Sequence, residues 1–240
     1  MKLYRALQSQ GFGSRKGCVA RVRAGAVAVN GVACDDPETE VDLAGLQLTL
    51  DGVTWTYREK AYVLLHKPAG YECSHHPSHH PSVFSLLPPP LLQRGVQCVG
   101  RLDQDTTGML LFSDDGQFIH RMISPRKGIA KVYRAACAEP VTDAMLEALR
   151  AGVALNDEPA PIAALACERL DAITLRLTLA EGKYHQVKRM IAATGNRVET
   201  LHREAIGDYV LPADLPTGGW RWLETADLQQ LEQLWPSAKS

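Results

Sequence analysis

Two acidic residues and two threonines lie between glycines in residues 100–108, which read Gly-Arg-Leu-Asp-Gln-Asp-Thr-Thr-Gly. The apolar run 109–112 follows directly, so the segment forms a loop attached to a predicted buried strand. Such a loop can hold the carboxylate of Asp103 rigidly in a cleft, as chemistry at an acid requires. Asp103 and Asp105 could equally cap a turn or bind a cation, because Asx turns are frequent. The spacing alone leaves these alternatives open.

A cation that could pair with such an acid lies on a predicted helix over residues 184–193. The core face of this helix is defined by Val187, Met190 and Ile191. At about 100° per residue, Lys188 falls at the border of that face, whereas Arg189 points away from it. Since burial raises the pKa of an Asp unless a cation is near, Lys188 is predicted to pair with Asp103 and Arg189 to contact phosphate. The alternative is an exposed lysine on an amphipathic helix.

The elements that must position these residues are short apolar runs separated by amphipathic ones. Strands are predicted at residues 62–65, 108–112, 132–137, 173–179 and 198–202, and helices at residues 118–123, 143–151 and 184–193. Strands and helices do not alternate regularly, as they would in a doubly wound parallel sheet. The pattern favours an α+β fold with a mixed, mostly antiparallel central sheet flanked by helices.

The N-terminal part of the chain differs from the rest in charge. Residues 1–31 contain no acidic residue and six basic ones, which are Lys2, Arg5, Arg15, Lys16, Arg21 and Arg23. Ser14 is a good N-cap for a helix over residues 15–23, and the pair Asn30-Gly31 predicts a hairpin turn. A basic helix start suits phosphate, so this charge pattern indicates a polyanionic partner. The alternative is a solvated helix followed by a hairpin.

The remaining composition excludes several classes. The formal net charge of −1 gives no global sign of nucleic-acid binding, and the six cysteines contain no Cys-x-x-Cys pair, so neither disulfides nor a zinc site is predicted. The histidines of residues 75–80 lie in a Pro/Ser loop and are expected to be solvated or to face RNA. The polar stretch 51–60 is expected to be a linker. No run approaches the roughly 20 apolar residues of a membrane span, and no signal peptide is evident, so a cytoplasmic protein is expected.

Residues 100–108 resemble the signature of the pseudouridine synthases, in which the aspartate of Arg-Leu-Asp is catalytic. Their form is similar to that of the ribosomal branch that carries an S4 RNA-binding domain. Three further segments resemble motifs of that branch: a Lys-Pro-x-Gly turn at 65–70, with His66 where Asn is usual, a Lys-x-Tyr strand at 131–133, and a third motif at 181–190. Residues 1–50 resemble the S4 domain itself, except that Tyr4 stands where an acidic residue is usual.

The resemblance implies a role for each matching residue. Asp103 would act on the target nucleotide as nucleophile or base, with Lys188 as its cation. Tyr133 would stack on the flipped uracil or assist proton transfer. Arg101 would enter the RNA or contact phosphate. Further RNA contacts are expected at Arg189, His185, Gln186, Arg15, Lys16 and Arg21. The reaction is an isomerisation without redox or group transfer, so no cofactor or metal is implied.

The resemblance also implies domains and a partner. Residues 1–58 are expected to form the S4-like domain with its linker, and residues 59–240 the catalytic domain. The run 183–190 resembles the members that modify small-subunit rRNA, so we expect a monomer acting on one uridine of 16S rRNA, within an assembling subunit. The alternatives are a 23S rRNA uridine, or a non-catalytic rRNA-binding assembly factor.

Overall fold

The computed structural model of the protein describes residues 1–232 and divides into two units. The first unit comprises Met1–Ala61 together with Leu87–Gln97, and the second comprises Tyr62–Leu86 and the residues from Cys98 onward. Residues 233–240, the end of the predicted catalytic domain, lie outside the described part of the chain. No helix within residues 1–232 is long and apolar enough to cross a membrane.

The first unit consists of short helices and a four-stranded antiparallel sheet. Its elements are α1 (Leu3–Ser9), α2 (Arg15–Arg23), β1 (Val27–Val29), β2 (Val32–Ala33), β3 (Gln47–Leu50), β4 (Val53–Thr56) and α3 (Pro89–Gln93). The strand order is β2-β1-β3-β4. The apolar faces of α1 and α2 pack on this sheet through Leu3, Leu7, Cys18, Val22, Val27 and Leu48.

The local signals in this unit produce the predicted structures. The amide of Gly17 donates to the hydroxyl of Ser14 at 3.2 Å, so Ser14 caps α2 as expected. Asn30 (φ 50°) and Gly31 (φ 83°) form the tight turn between β1 and β2, because both adopt the left-handed conformation that a two-residue hairpin turn requires.

The linker expected over residues 51–60 is wrong in part, because Val53–Thr56 forms β4 and pairs with β3. Asp51 (φ 49°) and Gly52 (φ 81°) make a second left-handed turn between these strands. Trp55 is buried, and its indole nitrogen donates to the side-chain oxygen of Gln10 at 3.2 Å. One buried aromatic residue therefore anchors a stretch whose remaining residues look like a polar loop.

The second unit holds the larger sheet. Its strands are β5 (Tyr62–Lys67), β6 (Gln97–Val99), β7 (Thr107–Ser113), β8 (Lys131–Cys137), β9 (Ala166–Arg169), β10 (Thr174–Leu179), β11 (Val198–Ile206), β12 (Tyr209–Val210) and β13 (Trp220–Trp222). Its α-helices are α4 (Gly116–Ile123), α5 (Asp143–Ala151), α6 (Gln186–Ala193) and α7 (Thr225–Leu231), with 3₁₀ turns at Val83–Leu86 and Pro125–Lys127.

The sheet is mixed and mostly antiparallel, as the sequence predicts. Seven strands run in the order β13-β5-β7-β11-β8-β10-β9, with β6 beside β7 and β12 beside β11. Strands β7 and β11 are parallel, whereas the other neighbouring pairs along this order are antiparallel. Helix α4 packs Phe118 and Met122 onto the buried side chains of β5 and β7, each contributing about 1.5–3 kcal/mol.

Gly108 allows β7 and β11 to approach each other closely. Its φ is +103°, and a Cβ at this position would collide with the carbonyl oxygen of Arg203 and lie 2.7 Å from its backbone nitrogen. Only glycine adopts this backbone conformation without strain and has no Cβ that would collide with β11. The loop that ends at Gly108 is thereby fixed against the strand that carries Arg203.

Helix α6 begins later than predicted, at Gln186 instead of residue 184. His185 precedes it in the left-handed conformation, with φ 47° and ψ 31°. The Gln186 side chain turns back and accepts a hydrogen bond from the amide of Lys183 at 2.8 Å. Tyr184 therefore lies in a turn ahead of the helix, where its side chain is 72% exposed.

Candidate active site

The loop that carries Asp103 is stabilised by hydrogen bonds from a buried lysine. Lys67, at the end of β5, is 0% exposed, and its ammonium donates to the carbonyls of Gln104 at 3.1 Å and Thr106 at 2.8 Å. A third bond reaches the carbonyl of Pro68 at 3.0 Å. Burial lowers the pKa of Lys67, while Cys73 and the loop carboxylates partly oppose that shift. These bonds fix the backbone on both sides of Asp105, so the loop is rigid where the acids project.

Lys188 on α6 faces both carboxylates of the loop. Its Nζ lies 3.1 Å from Oδ2 of Asp103, and 2.7 Å and 2.9 Å from the two oxygens of Asp105. Burial alone would lower the pKa of Lys188, but the hydrogen bonds to Asp105 and Asp103 outweigh burial and raise it. Burial alone would likewise raise the pKa of Asp105, but its bond to Lys188 holds it below the ordinary value. Both partners are thus stabilised in their charged forms.

The turn before α6 brings a second nitrogen-bearing side chain, that of His185, close to Asp103. Nε2 of His185 lies 3.4 Å from Oδ1 of Asp103, whereas Nζ of Lys188 lies 3.1 Å from Oδ2. The His185 ring stacks on Tyr184 with centroids 3.8 Å apart and 18° between the planes. The left-handed backbone at His185 is therefore what turns the imidazole toward the loop.

Asp103 opens onto a small cavity of about 110 Å³. Its polar wall includes Arg101, Asp103, Lys131, Tyr133, Glu181, His185, Gln186 and Arg203. Its apolar wall includes Leu102, Leu111, Leu179, Val187, Leu201 and Ile206. A wider depression of about 560 Å³ shares residues 100–103 and His185 with this cavity and is also lined by Tyr184. The acid therefore lies where a narrow recess with polar and apolar walls meets an open groove, an arrangement that suits a planar ring held inside a longer chain.

Tyr133 lies in the recess on β8 and is 7% exposed. Lys131, two residues earlier on the same strand, points to the same side because side chains alternate along a strand. Burial and the nearby cation of Arg203 lower the pKa of Lys131 to about 8. Its Nζ donates to the carbonyl of Ile129 at 2.9 Å. An acid, an aromatic ring and an amine with a lowered pKa therefore share one recess.

The other residues that were predicted to contact RNA differ in their exposure and in their position relative to the recess. Arg101 is exposed and lines both the recess and the groove. Gln186 is buried, and its side-chain oxygen is engaged by the Lys183 amide. Arg189 extends to the carbonyls of Tyr184 and Asn156, each at 3.3 Å, and does not line the recess. In the first unit, Arg15, Lys16 and Arg21 are exposed on α2.

Three residues of the site had no assigned role from the sequence. Lys67 and Lys131 fall in segments recognised as motifs, so the motif spacing was the available signal for them. Arg203 lies in a strand whose predicted range ended at residue 202, and it lines the same recess as Asp103 because β11 pairs with β7. No local pattern marks such a residue, because a parallel pairing joins distant parts of the chain.

Comparison with known proteins places this geometry in a family. Residues 61–193 match the family model described as RNA pseudouridylate synthase. The chain is 36% identical to the ribosomal small subunit pseudouridine synthase A of Vibrio parahaemolyticus, over 92% of this chain and 94% of the relative. It is 43% identical to the protein of that name from Escherichia coli strain K12, over 70% of this chain and 72% of the relative.

A solved structure agrees with these sequence matches. A crystal structure of a pseudouridylate synthase superposes with a TM-score of 0.68 at 34% identity, covering 96% of this chain and 99% of that chain. The family match spans β5 to α6, the elements that carry Asp103, Tyr133 and Lys188. The chain belongs to the RNA pseudouridylate synthase family and is an isomerase.

Proposed function

We propose that this enzyme converts one specific uridine of 16S rRNA to pseudouridine, with Asp103 as its catalytic aspartate. The observation that carries the catalytic part is the carboxylate of Asp103 at the mouth of the recess, 3.1 Å from the ammonium of Lys188. The choice of small-subunit rRNA is supported by the names of the relatives, which are ribosomal small subunit pseudouridine synthases.

The proposed reaction breaks the bond between C1′ of the ribose and N1 of uracil and forms one between C1′ and C5. The C5 hydrogen leaves as a proton, and N1 gains one, so no electrons or groups are transferred. Asp103 acts as nucleophile or base on the target nucleotide, and the ammonium of Lys188 lies 3.1 Å from its carboxylate. Tyr133 offers its ring to the uracil, which must leave its stack to reach the recess.

The RNA is held by phosphate contacts outside the recess. Arg101 is exposed at the rim, next to the groove that can accept the neighbouring nucleotides. We propose that residues 1–58 act as an S4-like RNA-binding domain in which Arg15, Lys16 and Arg21 contact phosphate. Their exposure on a helix that lacks acidic residues supports this role, because salt-dependent phosphate contacts supply most non-specific affinity. The enzyme is proposed to act as a cytoplasmic monomer, on rRNA of an assembling subunit.

The target is tested by mapping pseudouridines on both rRNAs from cells with and without the gene. We expect one pseudouridine of 16S rRNA to disappear and to return when the wild-type gene is restored. Loss of a 23S rRNA site alone would replace the proposed substrate. Unchanged modification of both rRNAs would contradict the proposed activity on rRNA.

The role of the first unit is tested by a charge-removing variant, Arg15→Gln with Lys16→Gln and Arg21→Gln. These exposed positions can change without disturbing the cores. Removing about three phosphate contacts should weaken RNA binding and reduce the salt dependence of log K by about 2 to 3 units of slope. A salt series indistinguishable from that of the wild type would reject the assignment.

A further inference from the structure

Arg203 is a buried guanidinium in the wall of the catalytic recess. It is 3% exposed, and its Nε donates to the carbonyl of Met109 at 2.8 Å, across the close approach of β11 to β7. This bond fixes the plane of the guanidinium. The side chain therefore has a defined direction, on the same face of the sheet as Tyr133, which pairs with it on β8.

One end of this guanidinium has no acceptor. Nη2 of Arg203 is buried, and no hydrogen-bond partner for it occurs within residues 1–232. Burying a charged donor without an acceptor costs more than the loss of a neutral hydrogen bond. Such a group in a native protein calls for a partner or a role beyond the folded chain itself, such as a bound water, an ion or a catalytic function. The unsatisfied atom belongs to a residue that lines the recess with Asp103, so a ligand in the recess is the natural acceptor.

The side chains that line the recess indicate which kind of hydrogen-bond acceptor can bind next to Arg203. Leu179, Leu201 and Ile206 line it with apolar surface, and its volume is only about 110 Å³. A phosphate would have to give up its hydration among these leucine and isoleucine side chains. A uracil ring carries apolar faces and two carbonyl oxygens at its edge, which matches a recess that combines an apolar wall with the fixed donor of Arg203. Phosphates are better accommodated at exposed Arg101.

We propose that Arg203 recognises the target base, with Nη2 donating a hydrogen bond to a carbonyl oxygen of uracil while Asp103 acts on the same nucleotide. This inference rests on the proposed function, because it requires that a uridine enters the recess. Lys131 lines the same wall and carries a second nitrogen that can face the base edge. The bond would hold the ring in one orientation in the recess, against the walls that exclude water.

The test uses the intact enzyme and a short RNA that contains the mapped target as uridine, 2-thiouridine or 4-thiouridine. Sulfur accepts hydrogen bonds more weakly than oxygen, so each analogue weakens one carbonyl contact. Conversion is followed by release of tritium from C5, and kcat/KM is compared. Hydrogen bonds to charged groups correspond to roughly 10- to 150-fold in rate, and a weakened one should cost at least about fivefold. We expect one analogue to show that loss and the other to react within twofold of uridine.

The variant Arg203→Lys then tests whether Arg203 causes the effect. In this variant the sensitive analogue should react within twofold of uridine, because the bond it weakens is already absent. Arg176→Lys is the matched control, since Arg176 does not line the recess, and it should keep the wild-type sensitivity. If Arg203→Lys does not fold, as judged by circular dichroism, Arg203→Gln replaces it, and equal rates for the analogues on the wild type would still overturn the inference.

Equal rates for all three RNAs on the wild type would overturn the inference while leaving the proposed function in place. A thio effect that persists undiminished in folded Arg203→Lys would overturn it as well. Failure of the wild type to convert the uridine RNA would instead contradict the proposed function, and the inference with it.

Discussion

Nζ of Lys188 lies 3.1 Å from Oδ2 of Asp103 and binds Asp105 at the same time. One ammonium group therefore bridges both carboxylates of the loop. Two such acids separated by one residue would repel each other if both were ionised, and the shared cation removes that penalty. The helix that carries Lys188 thus supplies the cation for a loop more than 80 residues earlier in the chain.

Replacing Lys188 with Met should lower kcat strongly while leaving the fold intact, because the side chain is 25% exposed and lies at the edge of the core. A charge-assisted hydrogen bond corresponds to about 1.5–3 kcal/mol, so we expect a loss of roughly 10- to 150-fold in kcat. Single-turnover conversion of the target RNA measures it. Lys188→Arg should recover part of the rate, and a Met variant with wild-type kcat would refute the role of the bridge.

Gly108→Ala should destabilise the protein, since the left-handed backbone alone costs about 1–3 kcal/mol and the added Cβ collides with Arg203. Gly116→Ala is the matched control, because a Cβ there meets nothing within 4 Å. Urea denaturation should show a lower midpoint for the first variant and an unchanged or higher one for the second. Equal midpoints for the two variants would show that the close strand approach is unimportant.

Lys67→Met should loosen the loop, because the carbonyls of Pro68, Gln104 and Thr106 lose their common donor. Leaving buried acceptors unpaired costs about 1–3 kcal/mol in the free energy of unfolding. We also expect a lower kcat at temperatures where the variant remains folded. Lys127→Met, at an exposed position, serves as control. Unaltered stability together with unaltered kcat would argue against this lysine as the support of the loop.

Lys131 should make the stability depend on pH in the alkaline range. Its pKa in the folded protein is about 8, below its ordinary value of 10.5. Between these values the unfolded chain binds a proton that the folded protein does not, so the free energy of unfolding should rise as pH increases through this window. In Lys131→Met this rise should be smaller. Urea denaturation at several pH values between 7.5 and 10 measures both proteins, and identical slopes would disprove the lowered pKa.

Much of the fold follows from short-range sequence signals. Helices α2 and α5 have the predicted bounds, because Ser14 and Thr142 accept hydrogen bonds from the first turns and fix where each helix begins. The mixed, mostly antiparallel sheet was also predictable, because the predicted strands and helices do not alternate regularly along the chain. The strand at Val53–Thr56 could not be predicted, since only Trp55 in that run is buried.

Site residues were predictable where helical periodicity or a sequence motif marks them. The position of Lys188 at the edge of an apolar face predicted its approach to the loop. The share of Asp105 in that ion pair was missed, because the sequence gives no distance between the two elements. The position of Arg203 at the recess depends on which strands pair in the sheet. The position of His185 depends on a left-handed turn, which the helical pattern of the sequence did not reveal.

Asp103 is the residue proposed to carry the chemistry of the reaction. Asp103→Asn keeps the shape of the side chain and removes its charge, and Asp105→Asn is the matched control on the same loop. Both variants are expressed in cells lacking the gene, and pseudouridines are then mapped on 16S rRNA. We predict that the target uridine stays unmodified with Asp103→Asn and is modified, at a reduced rate at most, with Asp105→Asn. Full modification of the target by folded Asp103→Asn would contradict this prediction.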